Sequence, residues 1–465
     1  MVFSTPIFLF VFLPLTLLVY HLAPRKWRNG VLFLASLLFY FWGERVYTVI
    51  MLLSTAVDYT HGLLVERFLR AGKRRRAKLA VASSMLFNLG ILLFFKYWDL
   101  FAGTLQGLGL RFIPVLGIHL PIGISFYTFQ TMSYTVDVYR GDARAQHSPI
   151  TFGAFVTLFP QLIAGPIIKY KELGDQLNER TGSVERFSAG VERFTVGLAK
   201  KLLIANDLGR LWEVCKTAPQ PTVAGAWLGV LAFSLQIYFD FSGYSDMAIG
   251  LGRMLGFEFP ENFRYPYVAR SVTDFWRRWH VSLSTWFRDY LYIPLGGSRC
   301  AAWKWIRNLF LVWAATGLWH GASWNYLLWG LYYFVWLLIE KRLLGKRLER
   351  IPILLRRLCV AVIVMVGWAI FALEEFGQLR AYLAVMFGFG GAPLWNAATG
   401  YALRGELLIL LIGLFGATPL AAATFRRLPD GCRRWVRPVL LVLGLLLCTA
   451  ELVAGTYNPF LYFRF

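Results

Sequence analysis

The sequence predicts an all-α integral membrane protein, and its composition and its charge pattern are the observations that predict this class. Of the 465 residues, 57% are hydrophobic and 16% are charged, whereas ordinary soluble domains carry about 25% charged residues. Aromatic residues, which are counted among the hydrophobic ones, make up 17% of the chain. These values exclude a disordered chain, a secreted disulfide scaffold and an ordinary cytosolic enzyme.

The net charge of +22, from 48 basic and 26 acidic residues, bears on the expected partners. In a nucleic-acid-binding protein the basic residues would lie on a soluble, mostly polar fold. Here they stand between apolar stretches, so we expect membrane lipids as partners and no nucleic acid. The five cysteines are far apart and include no CxxC pair, which indicates isolated thiols and no metal site.

Apolar stretches along the chain define the predicted helices. Residues 1–22 lack a basic start and a small-residue cleavage site, so we expect a retained first span and no cleaved signal peptide. A complete crossing takes about 20 residues, and several stretches are shorter, so we expect about eleven membrane segments, some re-entrant or strongly tilted. All should be helical, because a backbone in hydrocarbon must satisfy its own hydrogen bonds. The further stretches are residues 31–42, 47–65, 79–98, 112–129, 152–168, 224–239, 308–318, 323–339, 358–373, 407–422 and 439–454.

Basic residues in the loops predict the orientation of the chain. The loop at 25–28 carries three basic residues and the loop at 66–78 carries seven, and two crossings would put both loops on one side. The positive-inside rule then places these loops in the cytoplasm and the N-terminus outside. Basic residues at 140–144 and 169–172 flank one apolar stretch, yet both look cytoplasmic, which indicates a membrane-embedded loop between them. With no internal repeat or linker, residues 1–465 are expected to form one membrane domain.

The most unusual segment is residues 240–300, which is rich in polar, aromatic, Gly and Pro residues although apolar spans flank it. Within it, residues 271–292 predict an amphipathic helix that begins with a capping box of Ser271 and Asp274. Its apolar stripe is Phe275, Trp279, Leu283, Trp286 and Tyr290, and its polar face is Arg277, His280, Ser284 and Arg288. The helix either anchors at the lipid headgroups or lines a substrate-filled funnel. His280 favours the funnel, because the cations beside it suit a phosphate-bearing acyl donor.

A second candidate, His320, follows a nearly charge-free apolar run and has Trp319 beside it. Ionisable groups inside a membrane are costly and commonly functional, although a histidine among aromatic residues can also be a packing residue. Burial keeps an imidazole neutral, which is the form that accepts a proton from a hydroxyl. No GxSxG, P-loop or HExxH motif offers another site. The remaining histidines are expected to be structural: His21, His61, His119 and His147.

With both histidine segments considered, the chain resembles the membrane-bound O-acyltransferase (MBOAT) superfamily, and within it the bacterial alginate O-acetyltransferase (AlgI-like) branch. The resemblance extends over nearly the full length. It implies a ring of membrane helices, with a funnel on each face and a narrow passage between them, in the inner membrane of a bacterium. The motifs that carry it are PIGISFYTFQTMSYTVDVYRG at 121–141, QIYFDFSGYSDMAIGLGRMLGFEFPENFRYPY at 236–267, SVTDFWRRWHVSLSTWFRDYLYIPLGG at 271–297, TGLWHGASWNYLLWG at 316–330 and YNPFLYFRF at 457–465.

The resemblance also implies roles for residues. His320 matches the histidine deep in the family's passage and is expected to be the general base, while His280 would orient a substrate or stabilise the oxyanion. A cytoplasmic thioester, either acetyl-CoA or a carrier-bound donor, would supply the acyl group, with no bound cofactor. The acyl group would pass outward to an exported, alginate-like polysaccharide, with a periplasmic or extracellular acetyltransferase as partner. The expected substrate-binding residues are Arg277, Arg278, Trp279, Ser284, Arg288, Trp319 and Asn262.

Three alternatives remain open from the sequence. A transferase that takes D-alanyl or another acyl group from a carrier protein would share the histidine arrangement. A membrane transporter or flippase would also be helical, basic and interrupted by Gly and Pro, although it would normally show two similar halves. A structural subunit of a polysaccharide export system would tolerate changes at both His280 and His320.

Overall fold

Helices form the regular secondary structure of residues 1–110 and 112–455, which are the residues that the computed structural model describes. No strand occurs in those ranges, so the predicted all-α class is confirmed there. The tail motif at 457–465 lies outside the described residues. The first helices are α1 (Leu13–Leu22), α2 (Arg28–Gly43), α3 (Thr48–Arg70), α4 (Arg74–Gly107), α5 (Ile124–Arg140), α6 (Pro149–Thr157), α7 (Phe159–Leu162), α8 (Tyr170–Asn178), α9 (Val184–Ala199) and α10 (Asn206–Lys216).

The second half of the chain continues in the same way, and short π or 3-10 turns extend several helices. The later α-helices are α11 (Val223–Met254), α12 (Val272–Trp276), α13 (Val281–Phe287), α14 (Ala302–His320), α15 (Trp324–Ile339), α16 (Ile353–Ala372), α17 (Phe376–Met386), α18 (Ala397–Gly416), α19 (Leu420–Arg427) and α20 (Asp430–Ala454). The π turns are Phe8–Phe12, Lys200–Ala205, Arg288–Tyr292 and Glu340–Leu344, and the 3-10 turns are Arg25–Trp27, Pro266–Val268 and Gly345–Arg350.

Six of the described helices are long and apolar enough to cross a membrane. These are α3, α4, α11, α16, α18 and α20. The six helices differ in how much of their surface is buried. In α11, 72% of the apolar stretch is buried inside the protein, whereas in α20 only 6% is buried. Exposed apolar side chains on α20 suit contact with lipid, whereas α11 is a core helix. The chain is therefore a multi-pass membrane protein, and the larger number of segments expected from the sequence stays a prediction.

The apolar stretch at 152–168 does not form one long helix. Leu158 separates α6 from α7, and the residues after α7 are irregular up to Lys169. Pro160 stands in the first turn of α7, where its missing N–H costs no hydrogen bond. The whole stretch is buried. This break agrees with the expectation that the segment makes no simple crossing.

The described residues group into two units by their packing. One unit consists of Met1–Phe194 with Met247–Pro260, and the other of Thr195–Asp246 with the chain from Glu261 onward. A single membrane domain over the whole chain stays a prediction.

In the first unit, a polar network joins α3 and α4. The side chain of Asp58, which is fully buried, accepts hydrogen bonds from Ser84 Oγ at 2.5 Å and from Asn88 Nδ2 at 2.8 Å. Ser54 donates to Asn88 Oδ1 at 2.7 Å. Because a polar group in an apolar interior is costly unless it is paired, this network fixes how the two helices pack.

In the second unit, the prediction of one continuous amphipathic helix over 271–292 is wrong, because the helix is interrupted. The helix α12 ends at Trp276, and α13 begins after His280, whose backbone is left-handed at φ 45° and ψ 54°. The reason is a set of bonds from a distant loop. Arg264 N donates to the carbonyl of Arg278 at 2.9 Å, and Val281 N donates to the carbonyl of Asn262 at 3.0 Å. These bonds hold the residues between α12 and α13 out of a helical conformation.

Candidate active site

His320 is the last residue of α14, and a backbone hydrogen bond determines how its imidazole is protonated. Its Nδ1 lies 2.7 Å from the carbonyl oxygen of Thr316. A carbonyl only accepts, so Nδ1 carries the hydrogen and donates. In the neutral ring Nε2 is then the nitrogen with the lone pair. The side chain is therefore set up to accept a proton at Nε2.

Aromatic rings surround His320, which is only 2% exposed. The ring of Trp329 lies 4.8 Å away between centroids, that of Trp319 at 5.0 Å and that of Phe371 at 5.6 Å. Such walls contribute apolar surface with few competing hydrogen-bond groups. A proton acceptor in these surroundings is shielded from bulk water, which strengthens its electrostatic interactions with a reacting group.

His280 is fully buried and is held by the side chain of Asn262. Its Nδ1 lies 3.2 Å from Asn262 Oδ1, which also accepts from the backbone N–H of Ser282 at 3.2 Å and from Ser282 Oγ at 2.9 Å. A backbone N–H only donates, so the atom facing it is the amide oxygen. His280 Nδ1 is therefore also the protonated nitrogen, and Nε2 carries the lone pair in the neutral ring.

The backbone of His280 is also constrained. A left-handed conformation is uncommon for a residue other than Gly, and it costs on the order of 1–2 kcal/mol. The carbonyl of His280 accepts from Ser284 N at 3.1 Å and so begins α13. Strain of this kind is concentrated at functional sites, where the surrounding structure compensates for it.

Both histidines contact the same indole. The ring of Trp319 lies 5.9 Å from that of His280 and 5.0 Å from that of His320. His280 lies outside the six candidate spans, and burial lowers its pKa well below the ordinary value of histidine, with a smaller lowering from the nearby charge on His320 when that ring is protonated. The structure therefore brings the two predicted catalytic residues together in one buried, aromatic site.

Of the predicted substrate-binding residues, Asn262 and Trp319 belong to this site, while Trp279 and Ser284 contact other groups. Trp279 packs against Trp368 at 4.8 Å and Phe263 at 5.0 Å between ring centroids. The hydroxyl of half-buried Ser284 donates to the carbonyl of Trp276 at 3.4 Å. These contacts give Trp279 a packing role, as its place on the predicted apolar stripe indicated.

The three predicted arginines are separate from the buried histidines. Arg277 is exposed. Arg278 pairs with Asp274 at 2.8 Å, and the exposed Arg288 pairs with Asp289 at 2.8 Å. Because their charges face outward or are already paired, these arginines do not line the histidine site directly.

A buried ion pair in the second unit was not predicted from the sequence. Lys201 Nζ lies 2.8 Å from Asp240 Oδ1, and each side chain is only 2% exposed. Lys201 also donates to Asn206 Oδ1 at 3.1 Å. The sequence feature that could have revealed this pair is the carboxylate of Asp240 inside the apolar helix α11, because charged groups within a membrane commonly have a role.

The same helix supports His280 from two further positions. Phe241, next to Asp240 in the sequence, places its ring 4.7 Å from the imidazole. Ser245 Oγ accepts from Asn262 Nδ2 at 3.2 Å, which fixes the amide whose oxygen holds His280. In the described part of the chain, no group of three or more His, Cys, Asp or Glu side chains is arranged to hold a metal ion.

Comparison with known proteins identifies the family that this sequence matches. Residues 91–376 match the family model of MBOAT, the membrane-bound O-acyltransferase family. The chain is 40% identical to the probable alginate O-acetylase AlgI of Azotobacter vinelandii, over 100% of both chains. It is 32% identical to the peptidoglycan O-acetyltransferase of Helicobacter pylori, covering 85% of this chain and 81% of that one. It is 29% identical to the teichoic acid D-alanyltransferase of Bacillus subtilis, covering 46% and 57%.

Proposed function

The chain belongs to the membrane-bound O-acyltransferase family, and from this premise we propose that it transfers acetyl groups to hydroxyls of an exported, alginate-like polysaccharide. It is an acyltransferase, so the two alternatives from other classes, a transporter and a structural subunit, are excluded. The names of two relatives support the acetyl group and the polysaccharide, because one is named a probable alginate O-acetylase and the other a peptidoglycan O-acetyltransferase.

The observation that carries the proposal is the shared protonation state of the two buried histidines. Both rings donate from Nδ1, to Thr316 and to Asn262 respectively. Nε2 is therefore the proton acceptor in each neutral ring, which is what a general base for a hydroxyl requires.

In the proposed reaction, His320 Nε2 takes the proton of the acceptor hydroxyl as its oxygen attacks the thioester carbonyl. The new C–O bond forms, the C–S bond breaks, and the sulfur leaves as a thiol with the proton that His320 returns. The products are an acetyl ester and a free thiol, so neither an oxidant nor a reductant is needed. General-base catalysis of this kind typically accelerates a reaction by about 10²–10⁴.

His280 orients a substrate in this proposal. Stabilising an oxyanion would require a proton on Nε2, and the lowered pKa from burial opposes the second protonation. As an acceptor, Nε2 of His280 would instead receive a hydrogen bond from the acceptor hydroxyl or from the donor. The fixed amide of Asn262 keeps the ring in the orientation that this role needs.

The acetyl donor in this proposal is a cytoplasmic thioester, either acetyl-CoA or a carrier-bound thioester. The exposed Arg277 and Arg288 support it, because their guanidinium groups are accessible to the phosphates of such a donor. The chain would lie in the inner membrane of a bacterium with its N-terminus outside, as the basic loops favour. In the cell, a periplasmic or extracellular acetyltransferase would assist delivery to the polysaccharide.

The test is acetyl transfer by the purified full-length chain in lipid nanodiscs. The chain would be incubated with radiolabelled acetyl-CoA and oligomannuronate, and in parallel with peptidoglycan fragments. We expect label on oligomannuronate hydroxyls that is lost in His320→Ala and kept in His147→Ala, an exposed histidine in the first unit. Labelling by His320→Ala at the wild-type rate would refute the proposal.

A second candidate function is D-alanyl transfer from a carrier protein. The similarity to the teichoic acid D-alanyltransferase of Bacillus subtilis favours it, over about half of each chain. Offering D-alanyl and acetyl thioesters of the same carrier in competition distinguishes the two. Preference for the D-alanyl donor would replace the acetyl group in the proposal and leave the role of His320 unchanged.

A further inference from the structure

A basic cavity of about 440 Å³ lies in the first unit and shares no residue with the histidine site. It is lined by His21 at the end of α1, by Arg25 and Arg28 in the following loop, by Arg180, and by residues 181–184 where α9 begins. The described lining includes no carboxylate. Within the described ranges, none of the three arginines forms an ion pair. The cavity therefore carries positive charge that the protein does not neutralise.

Arg180 is fixed in place before any ligand arrives. Its Nε donates to the hydroxyl of Tyr20 at 2.8 Å, and its Nη1 donates to the carbonyl of Leu177 at 2.9 Å. Its guanidinium lies 4.5 Å from the centre of the Phe257 ring. Its Nη2 is buried and has no hydrogen-bond partner among the described residues. A buried donor without a partner is costly, and an anion in the cavity would offset part of that cost through the charge of the guanidinium.

The Tyr20 ring also holds the second arginine. The guanidinium of Arg28 lies 5.2 Å from the centre of that ring, and Arg180 lies 5.6 Å from it. One aromatic ring thus keeps two guanidinium groups near each other, which like charges would otherwise oppose. Paired arginines present several donors in a planar arrangement that matches the oxygens of a phosphate.

The beginning of α9 contributes to the same cavity. Thr181, Gly182 and Ser183 line it, and Ser183 Oγ accepts from the N–H of Arg186 at 3.2 Å. The N-terminus of this 16-residue helix has the positive end of the helix dipole, which favours an anion. This contribution adds to the charge of the three arginines.

The helix α1, whose His21 lines the cavity, also carries exposed apolar side chains. Leu15 and Leu18 are each 56% exposed, Leu22 is 76% exposed, and Trp27 in the basic loop is 61% exposed. The three leucines follow helical spacing and lie on one side of α1. In a membrane protein such a face contacts acyl chains, and an exposed Trp is typical of the headgroup level. The ligand that fits is charged at one end and apolar at the other.

We propose that this cavity binds the phosphate of an anionic phospholipid, whose acyl chains lie against the exposed leucines of α1. Basic pockets beside membrane helices bind anionic headgroups in this way. The proposal does not rest on acetyl transfer, because no residue of the histidine site takes part.

The test is native mass spectrometry of the full-length chain in a neutral detergent, titrated with phosphatidylglycerol or phosphatidylcholine. We expect saturable binding of phosphatidylglycerol, about tenfold or more tighter than that of phosphatidylcholine. Arg25→Gln should weaken this binding several-fold, and Arg25→Gln combined with Arg28→Gln should abolish the preference. Lys26→Gln is the matched control, because it removes one charge from the same loop but does not line the cavity.

Three results would overturn the proposal. They are equal binding of the two lipids, equal weakening by Lys26→Gln and Arg25→Gln, and displacement of phosphatidylglycerol by coenzyme A at stoichiometric amounts. The last result would assign the phosphate site to a soluble nucleotide. Arg25 is exposed, so its single variant is expected to fold even if the double variant does not. His320→Ala should bind the lipid like the wild type, which separates this test from the test of acetyl transfer.

Discussion

The imidazole of His280 and the indole of Trp319 lie with their ring centroids 5.9 Å apart, at an interplanar angle of 65°. Trp319 precedes His320 in α14, so this contact joins the segment after α12 to the helix that carries the second histidine. The indole is 4% exposed. It forms a wall that both imidazoles share, and its removal should affect both of them.

Trp319→Ala should therefore reduce acetyl transfer and also destabilise the protein. Truncation of a buried Trp to Ala typically costs about 3–5 kcal/mol, because it removes packing and leaves a cavity. Trp319→Phe keeps an aromatic wall and should retain most of the thermal stability. Thermal unfolding in detergent, monitored beside transfer activity, checks both variants. A wild-type rate in Trp319→Ala would contradict the shared-wall interpretation.

His320→Ala should lower kcat for acetyl transfer by about 10²–10⁴, the usual contribution of a general base. The amount of protein in the membrane should change little, because the hydrogen bond to the carbonyl of Thr316 that the variant removes lies within α14 itself. Quantified radiolabel transfer per mole of purified protein measures the effect. Loss of folded protein in proportion to the loss of activity would point to a packing role instead.

Asn262 acts on His280 as a positioning residue, and the pH profile tests this role. Asn262→Asp keeps an acceptor for His280 Nδ1 but adds a negative charge beside it. An adjacent carboxylate raises the pKa of histidine, so the acid limb of the rate profile should move to higher pH. Ser282→Ala removes another contact to the same amide and should leave that limb in place. An unchanged profile in Asn262→Asp would show that His280 does not titrate in the reaction.

The wild-type pH profile should reflect the buried state of His280. Burial lowers its pKa well below the ordinary value of 6.5, so the ring stays neutral as the pH falls through that value. In the unfolded chain, the same group binds a proton near its ordinary pKa. The contribution of His280 to stability is thus complete above that pKa and is lost as the pH falls towards the folded pKa. Unfolding measured between pH 7 and 5 should show a decline that His280→Gln reduces.

The ion pair of Lys201 and Asp240 should matter to folding more than to catalysis. Asp240→Asn alone leaves a buried lysine without its charge partner, which typically costs about 3–5 kcal/mol. Lys201→Met combined with Asp240→Leu removes both charges and should recover much of that stability. Thermal unfolding of these two variants beside the wild type measures both effects. Equal stability of the single variant and the wild type would mean that water reaches the pair.

The sequence by itself determined the class of protein, the two histidines and the family resemblance. Composition and apolar stretch length decide whether a chain can enter a membrane, and both are local properties. The motifs around His280 and His320 were likewise visible without a structure. The number of crossing segments could not be predicted as well from the sequence, because short apolar helices such as α15 are equally compatible with burial in protein and with lipid contact.

Only the tertiary structure decided how those residues are used. The periodic pattern over 271–292 predicted one helix, but hydrogen bonds from Asn262 and Arg264 interrupt it at His280. The same pattern grouped the arginines with His280, whereas the folded chain buries the imidazole and leaves Arg277 and Arg288 exposed. The protonation state of each histidine also depends on a particular acceptor, Thr316 or Asn262. These differences arise from hydrogen bonds between segments that are distant in the sequence, which a local periodic pattern cannot predict.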